Sequence, residues 1–207
     1  RPIATFGYND AFPILGDLFE AETTCVLQHN MGEIATDTVT NLAFFATRPP
    51  ITTPIHQVPD PSPPTSYNAS KTYLTLIVGD GDNIGMLRTS RMDWMSQRVK
   101  ECAKGTTPDA SMCYPLVWTL SPHIANLASD LAKWFFKQSY KTGADFFVLP
   151  PSGDLYAYPR LMNGTTQENF VTNTNKDAWL YNTSGTVDWE PFLSWDDALA
   201  TYFPRYT

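Results

Sequence analysis

The segment Tyr73-Leu74-Thr75-Leu76-Ile77-Val78-Gly79-Asp80-Gly81-Asp82-Asn83 decides how this chain is read. Its first six residues are apolar or β-branched and stop at a Gly/Asp turn, the pattern of a strand. Beyond the turn, Leu87, Met92, Met95 and Val99 recur near helical spacing and predict a helix over about 86–101. Pro115-Leu116-Val117-Trp118-Thr119-Leu120 reads as a second strand, stopped by Ser121-Pro122. That pair suits the start of a helix, Ser as N-cap and Pro as first helical residue. Ile124, Leu127, Leu131, Trp134 and Phe135 then give one helix an apolar face. Residues 145–149 form a third strand, broken by Pro150-Pro151-Ser152-Gly153. Strands alternating with helices imply parallel strands joined by right-handed crossovers. The strands are apolar almost throughout, as expected when both faces are covered. The expectation is an α/β fold, a (β/α) barrel-like or partial barrel with parallel strands; the alternative is an open doubly wound sheet.

Outward from this core the pattern changes. Upstream, strand candidates at 3–8, 24–28 and 42–46 make residues 1–48 a first βα lobe. Seven prolines between Pro49 and Pro64 leave little helical potential, so 49–71 is a Pro-rich connection. Residues 72–162 are the α/β core, and 163–207, rich in Asn, Thr and Trp, are expected to be an irregular segment packing on it. One domain overall is the expectation. The chain opens at Arg1 without Met or a leader, which fits a processed protein or part of a longer parent chain with further domains.

The 207 residues are 43% hydrophobic and 14% aromatic, enough for a sizeable core. Charged residues are 17%, against about 25% in an average domain. Lys and Arg number 14 against 21 Asp and Glu, a net charge of -7 that disfavours nucleic acid. No apolar run approaches the roughly 18 residues of a membrane span. Cys25, Cys102 and Cys113 are too few for a zinc site, and no metal or other cofactor is expected. Cys102 and Cys113 enclose a short loop and suit a disulfide; three free thiols are the alternative. Asn68, Asn163 and Asn182 each begin an Asn-x-Ser/Thr sequon within a polar stretch, a number barely above chance in so hydroxyl-rich a chain. With the low-charge surface they point to an extracellular glycoprotein.

In parallel α/β folds, chemistry collects at the C-terminal ends of strands. Those ends carry Asn9 and Asp10, His29 and Asn30, Asp80, Asp82 and Asn83, Thr119 and Ser121, and Ser152 and Asp154. The Gly79–Gly85 loop is the densest cluster. It fails as an EF-hand, since Arg91 stands at position twelve where Glu is needed, and it lacks the Lys of a phosphate loop. Cation-dependent phosphoryl chemistry at Asp80/Asp82 is a third class. An Asx turn capping the following helix is the plain structural alternative. Tyr156 and Tyr158 lie two apart after a Gly turn, so they share one side if extended, where phenol rings can stack on sugar. Core or surface packing is the alternative for both. The histidines His29, His56 and His123 come with no Gly-x-Ser-x-Gly elbow, which argues against a Ser/His/Asp hydrolase.

The run Gly153-Asp154-Leu155-Tyr156-Ala157-Tyr158-Pro159 resembles the signature of the GxGYxYP family, labelled glycoside hydrolases, with Leu155 where the name has its second Gly. The strand ending in Gly-Asp-Gly-Asp-Asn resembles that family's strand followed by Ser-Asp-Gly-Asp-Asn. The likeness covers 72–162 and extends through Gly7-Tyr8 and Asp37 to Leu42 in 1–48. It implies a barrel-like α/β domain of secreted or surface carbohydrate-related proteins, usually preceded by another domain, and it carries over no catalytic pair.

Glycoside hydrolysis needs two carboxylates across the bond, about 5–5.5 Å apart for retention or 6.5–9.5 Å for inversion. Asp82 and Asp80 are the first candidates, with Glu22, Glu33, Asp10 or Asp154 as partner. Trp118, Tyr156 and Tyr158 would stack carbohydrate, and His29 or Asn83 would hydrogen-bond it. The competing reading is a non-catalytic glycan-binding or assembly-forming surface glycoprotein on a hydrolase-like scaffold, which the Leu155 departure favours; self-association would accompany it.

Overall fold

The computed structural model describes residues 48–57, 66–83, 86–103, 113–183, 185–188, 190 and 195–206. Three parallel strands, β1 (Ile77–Val78), β2 (Leu116–Thr119) and β3 (Asp145–Val148), form one sheet in the order β1-β2-β3. Val117 stands opposite Ile77 and Phe146, which fixes the register across all three. The α/β class with parallel strands is as expected; the sheet seen among the described residues is open. Between β1 and β2 runs a π-helical turn (Leu87–Arg91) that continues into α1 (Met92–Glu101). Between β2 and β3, the expected single helix is two: α2 (Ile124–Leu127) and α3 (Ser129–Thr142). Ala128, at φ -146 and ψ 57, breaks the helical backbone between them. Ser121 does not cap this helix; His123 is the residue preceding α2, and its side chain makes no cap bond.

The core lies between the sheet and the helices α1 and α3. Leu116, Trp118 and Leu120 from β2 and its end pack with Phe147, Leu149, Met95, Ile124, Phe135 and Phe136. Each large apolar side chain so buried contributes roughly 1.5–3 kcal/mol. Trp118 is only 2% exposed, and its Nε1 donates to Asp145 Oδ1 at 2.7 Å. Arg98 reaches the same oxygen at 3.1 Å and donates to the Tyr114 carbonyl at 2.6 Å. Cys102 and Cys113 are joined in a disulfide.

Two expectations change. β1 is shorter than the predicted strand: Tyr73, Leu74 and Leu76 are exposed, and of this stretch only Leu76 reaches β2, its carbonyl accepting from Val117 N–H at 2.9 Å. The tail is not irregular. Residues Gly164–Tyr181 form α4, an 18-residue helix, followed by α5 (Trp195–Thr201). Asn163 caps α4, its side chain accepting from Thr166 N–H. Phe170, Val171, Thr174 and Tyr181 supply the buried side, and the intervening Asn and Thr hide that periodicity from the sequence.

Residues 48–57 cross the outer edge of β3. Gln57 Nε2 donates to the Phe147 carbonyl at 2.8 Å, and Phe147 N–H donates to Gln57 Oε1 at 2.7 Å. One residue pair further on, Leu149 N–H donates to the Gly185 carbonyl and Val187 N–H to the Leu149 carbonyl. Strap and tail together meet the outward backbone groups of Phe147 and Leu149.

Candidate functional site

The loops after β1, β2 and β3 meet at the C-terminal end of the sheet. After β1, Gly81 lies against the end of β2: its N–H donates to Thr119 Oγ1 at 2.8 Å and its carbonyl accepts from Ser121 N–H at 2.9 Å. Thr119 Oγ1 in turn donates a hydrogen bond to the Val78 carbonyl at 3.0 Å. A Cβ on Gly81 would stand 1.9 Å from the Thr119 carbonyl oxygen, so only glycine permits this contact. Asp80 is exposed with a left-handed φ of 58°, and Asp82 is half-buried. Asn83 turns its Oδ1 back to accept from Met86 N–H at 3.0 Å. It is therefore the cap of the helix that follows, and that oxygen is committed within the protein.

After β3, the loop carrying the Gly/Tyr signature folds over α4. Gly153 has φ 134° and faces Thr174, whose side chain would lie 2.6 Å from any Cβ there. Asp154 N–H donates to Thr174 Oγ1 at 3.1 Å. Leu155 and Ala157 turn inward onto Met162 and Phe170, while Tyr156 is 37% exposed and Tyr158 half-buried on the other side. Leu155 is thus accommodated by a satellite core beneath the loop.

The loop brings together three groups from three elements. His123, after β2, donates from Nε2 to the Asp154 carbonyl at 2.6 Å, since a carbonyl can only accept, and lies 3.3 Å from Asp154 Oδ1. Asp177, on α4, is hydrogen-bonded to the Asp154 carboxyl group. Burial pushes Asp177 up to about 7, the Asp154 charge adds to that, and His123 opposes it. Burial alone would lower His123, but the hydrogen bond and charge of Asp154 outweigh it and hold the imidazole above its ordinary value. Near neutral pH the group can thus hold a proton on Asp177, an arrangement suited to general acid work.

A second acidic group flanks the tail. Tyr202 Oη is hydrogen-bonded to Asp188 Oδ2 at 2.7 Å and to Glu190, and Glu190 also accepts from Arg160 N–H at 2.9 Å. Burial, reinforced by both carboxylates, holds the Tyr202 phenol far above its usual range.

The structure separates the residues picked from sequence. Asp80, Asp82 and Asn83 share one loop, and Tyr156 and Tyr158 another. Trp118 is a correction: it lies in the core, bonded to Asp145, and offers no face to a sugar. Glu22 and His29, with Asp10 and Glu33, lie outside the described residues. Asp177 and His123 were missed as site residues. His123 had a signal, lying two residues past Ser121 at a strand end; Asp177 sits on a helix the sequence pattern does not show. Among the described residues no group of three or more His, Cys, Asp and Glu side chains is disposed to hold a metal ion. None of the described helices is long and apolar enough to cross a membrane.

Parallel strands whose C-terminal ends bring together His123 after β2 and Asp154 after β3, with Asp177 of α4 against them, define an α/β domain with an acid–base cluster at its sheet end. The chain belongs to the GxGYxYP family: residues 70–187 match the family described as "GxGYxYP putative glycoside hydrolase C-terminal domain". In three dimensions it is similar to a crystal structure titled as a putative hydrolase from Bacteroides thetaiotaomicron, with a TM-score of 0.55 and 19% identity. The match covers 81% of this chain and 30% of that one, so the chain spans less than a third of that protein's length. At such identity the likeness is one of fold. No curated protein matches the chain.

Proposed function

We propose that this chain is a carbohydrate-directed, extracellular hydrolase domain in which Asp177 is the general acid and Asp82 the opposing carboxylate. The observation that carries the proposal is the Asp177 carboxyl group, placed by burial and by Asp154 to hold a proton at about neutral pH. Asp154 is hydrogen-bonded to Asp177, too close for the pair to flank a glycosidic bond, so it tunes the acid and does not oppose it. The opposing carboxylate comes from the loop after β1, and Ser121 ties the two together. Ser121 N–H holds Gly81, between Asp80 and Asp82, and its carbonyl accepts from Tyr181 Oη at 2.7 Å, one turn past Asp177. In this reading Tyr156 and Tyr158 stack the sugar ring. The sequential strand order also suits a segment of a (β/α) barrel closed by other parts of the protein.

One observation favours the non-catalytic alternative, a glycan-binding or assembly-forming surface domain: Asp154 and His123 are mostly buried and also serve to fasten the signature loop to α4. The test is reducing-end release from a panel of oligosaccharides by the full chain, with D177N and D82N. A general acid contributes about 10²–10⁴-fold, so each variant should lose at least 100-fold while remaining folded. Wild-type activity should also fall as pH rises through about 7, where Asp177 gives up its proton. A D177N variant with unchanged release and an unchanged alkaline limb overturns the assignment; glycan binding without release would establish the alternative.

A further inference from the structure

The first sequon stands beside an exposed aromatic patch. Tyr67 is 79% and Leu74 82% exposed, and the Tyr67 and Tyr73 rings stack with centroids 5.8 Å apart at 29°. Tyr73 Oη accepts from Asn68 N–H at 3.0 Å, which ties the ring pair to the sequon backbone. Asn68 is exposed, and its Oδ1 accepts from both Ser70 N–H at 2.9 Å and Ser70 Oγ at 2.7 Å. Lys71 N–H closes the turn on the Asn68 carbonyl at 3.0 Å. Among the described residues both bonds to the side chain end on Oδ1, which leaves Nδ2 as the end of the amide that those bonds do not use. Hydrogen bonds at the oxygen draw electron density from the nitrogen and make its protons easier to lose. The hydroxyl two residues on is the group the sequon specifies, and here it already sits on the amide.

The other sequons are built differently. Asn163 spends its Oδ1 capping α4 through Thr166 N–H, not on its own sequon hydroxyl. Asn182 is the left-handed residue that ends α4, at φ 48°, with Ser184 outside the described residues. The Cys102–Cys113 disulfide is an independent pointer to an oxidising compartment.

We propose that Asn68 is an N-glycosylation site and that the stacked Tyr67 and Tyr73 rings are the platform on which the first sugars of that glycan rest. The donor is an oligosaccharide on a lipid pyrophosphate. The Nδ2–C1 bond forms as the C1–O bond to the pyrophosphate breaks, the lipid pyrophosphate leaves with the electron pair, and the amide proton passes to a base of the transferase. Sugar C–H faces then cover aromatic surface otherwise left to water.

The test directs the full chain into a secretory pathway that carries the transferase, then maps its peptides before and after an amidase that leaves Asp at glycosylated positions. A glycan on the Asn68 peptide is expected in wild type and S70T, with loss in N68Q and S70A. Enzymatic removal of that glycan should lower Tm in wild type by more than in Y67A/Y73A, both read on an N163Q/N182Q background. An unmodified Asn68 in secreted, disulfide-bonded protein overturns the site. Equal Tm shifts with and without the tyrosines overturn the platform.

Discussion

Two glycines two residues apart should respond in opposite ways to the same methyl group. A Cβ at Gly81 would lie 1.9 Å from the Thr119 carbonyl oxygen, 2.1 Å from its carbon and 2.6 Å from Leu120 N, all of them backbone. No rotamer relieves that contact, so G81A must push the loop off β2. Departure breaks the Gly81–Thr119 and Ser121–Gly81 hydrogen bonds, each about 1 kcal/mol, and adds the roughly 1–3 kcal/mol of an overpacked site. The expected loss is about 3–5 kcal/mol. Gly79 has open space where its Cβ would go, so G79A should be neutral or up to about 1 kcal/mol stabilising through the unfolded chain. Urea unfolding followed by Trp fluorescence reads both. With a slope of about 2 kcal/mol per molar, the G81A midpoint should fall by about 1.5–2.5 M while that of G79A holds or rises. A G81A midpoint within 0.5 M of that of G79A, taken as roughly 1 kcal/mol, would refute the close approach of the two loops. Because Gly81 also sets the Asp80–Asp82 loop, the proposed hydrolase reading expects G81A to lose release activity even in the fraction that folds.

Three further outcomes follow from the buried groups. Asp177, raised in the folded state, binds a proton that the unfolded chain releases above about pH 4, so stability should fall as pH rises from about 4 to 7. His123, also raised, loses its share as pH passes upward through its folded value; D177N should flatten the slope, and an unchanged pH–Tm curve would exclude Asp177 as its source. R98M leaves Asp145 buried without its cation and should cost about 3–5 kcal/mol in denaturant, part of it recovered in R98M/D145N. A double variant no more stable than R98M would show that the Asp145 charge is not what the arginine answers. Removing the disulfide as C102S/C113S opens a loop of sequence separation 11 and should cost about 3 kcal/mol; a thermal midpoint unchanged by reductant would contradict it.

The parts of the fold legible in sequence were those where one element announces itself. β2 and β3 fall within a residue of the apolar runs that predict them, because Pro and Gly stop them on both sides. β1 did not, since a run of apolar residues does not reveal whether a neighbouring strand exists for Tyr73 to Leu76. α4 was missed because its buried face mixes Phe170 and Val171 with Thr174, and its acid points to a cluster rather than to water. Trp118 looked like a sugar platform until its indole N–H met Asp145 on the next strand, two residues before its register partner Phe147 and 27 residues away in sequence. The Asp80-to-Asn83 turn was readable as a helix cap from local spacing alone. The His123, Asp154 and Asp177 group was not, because three loops and helices separated in sequence meet only through the fold.

Gln57 bears on how this sheet can grow. A primary amide offers a donor and an acceptor at nearly the spacing of a peptide unit, so to the Phe147 backbone it is a one-residue neighbour that leads nowhere. It works as a terminator, meeting the hydrogen-bonding demand of β3 without presenting a fresh row of amides to the next comer. β1 carries no such plug among the described residues. Among the described residues the two edges of the sheet therefore differ: β3 is answered by a side chain and the tail, and β1 by neither.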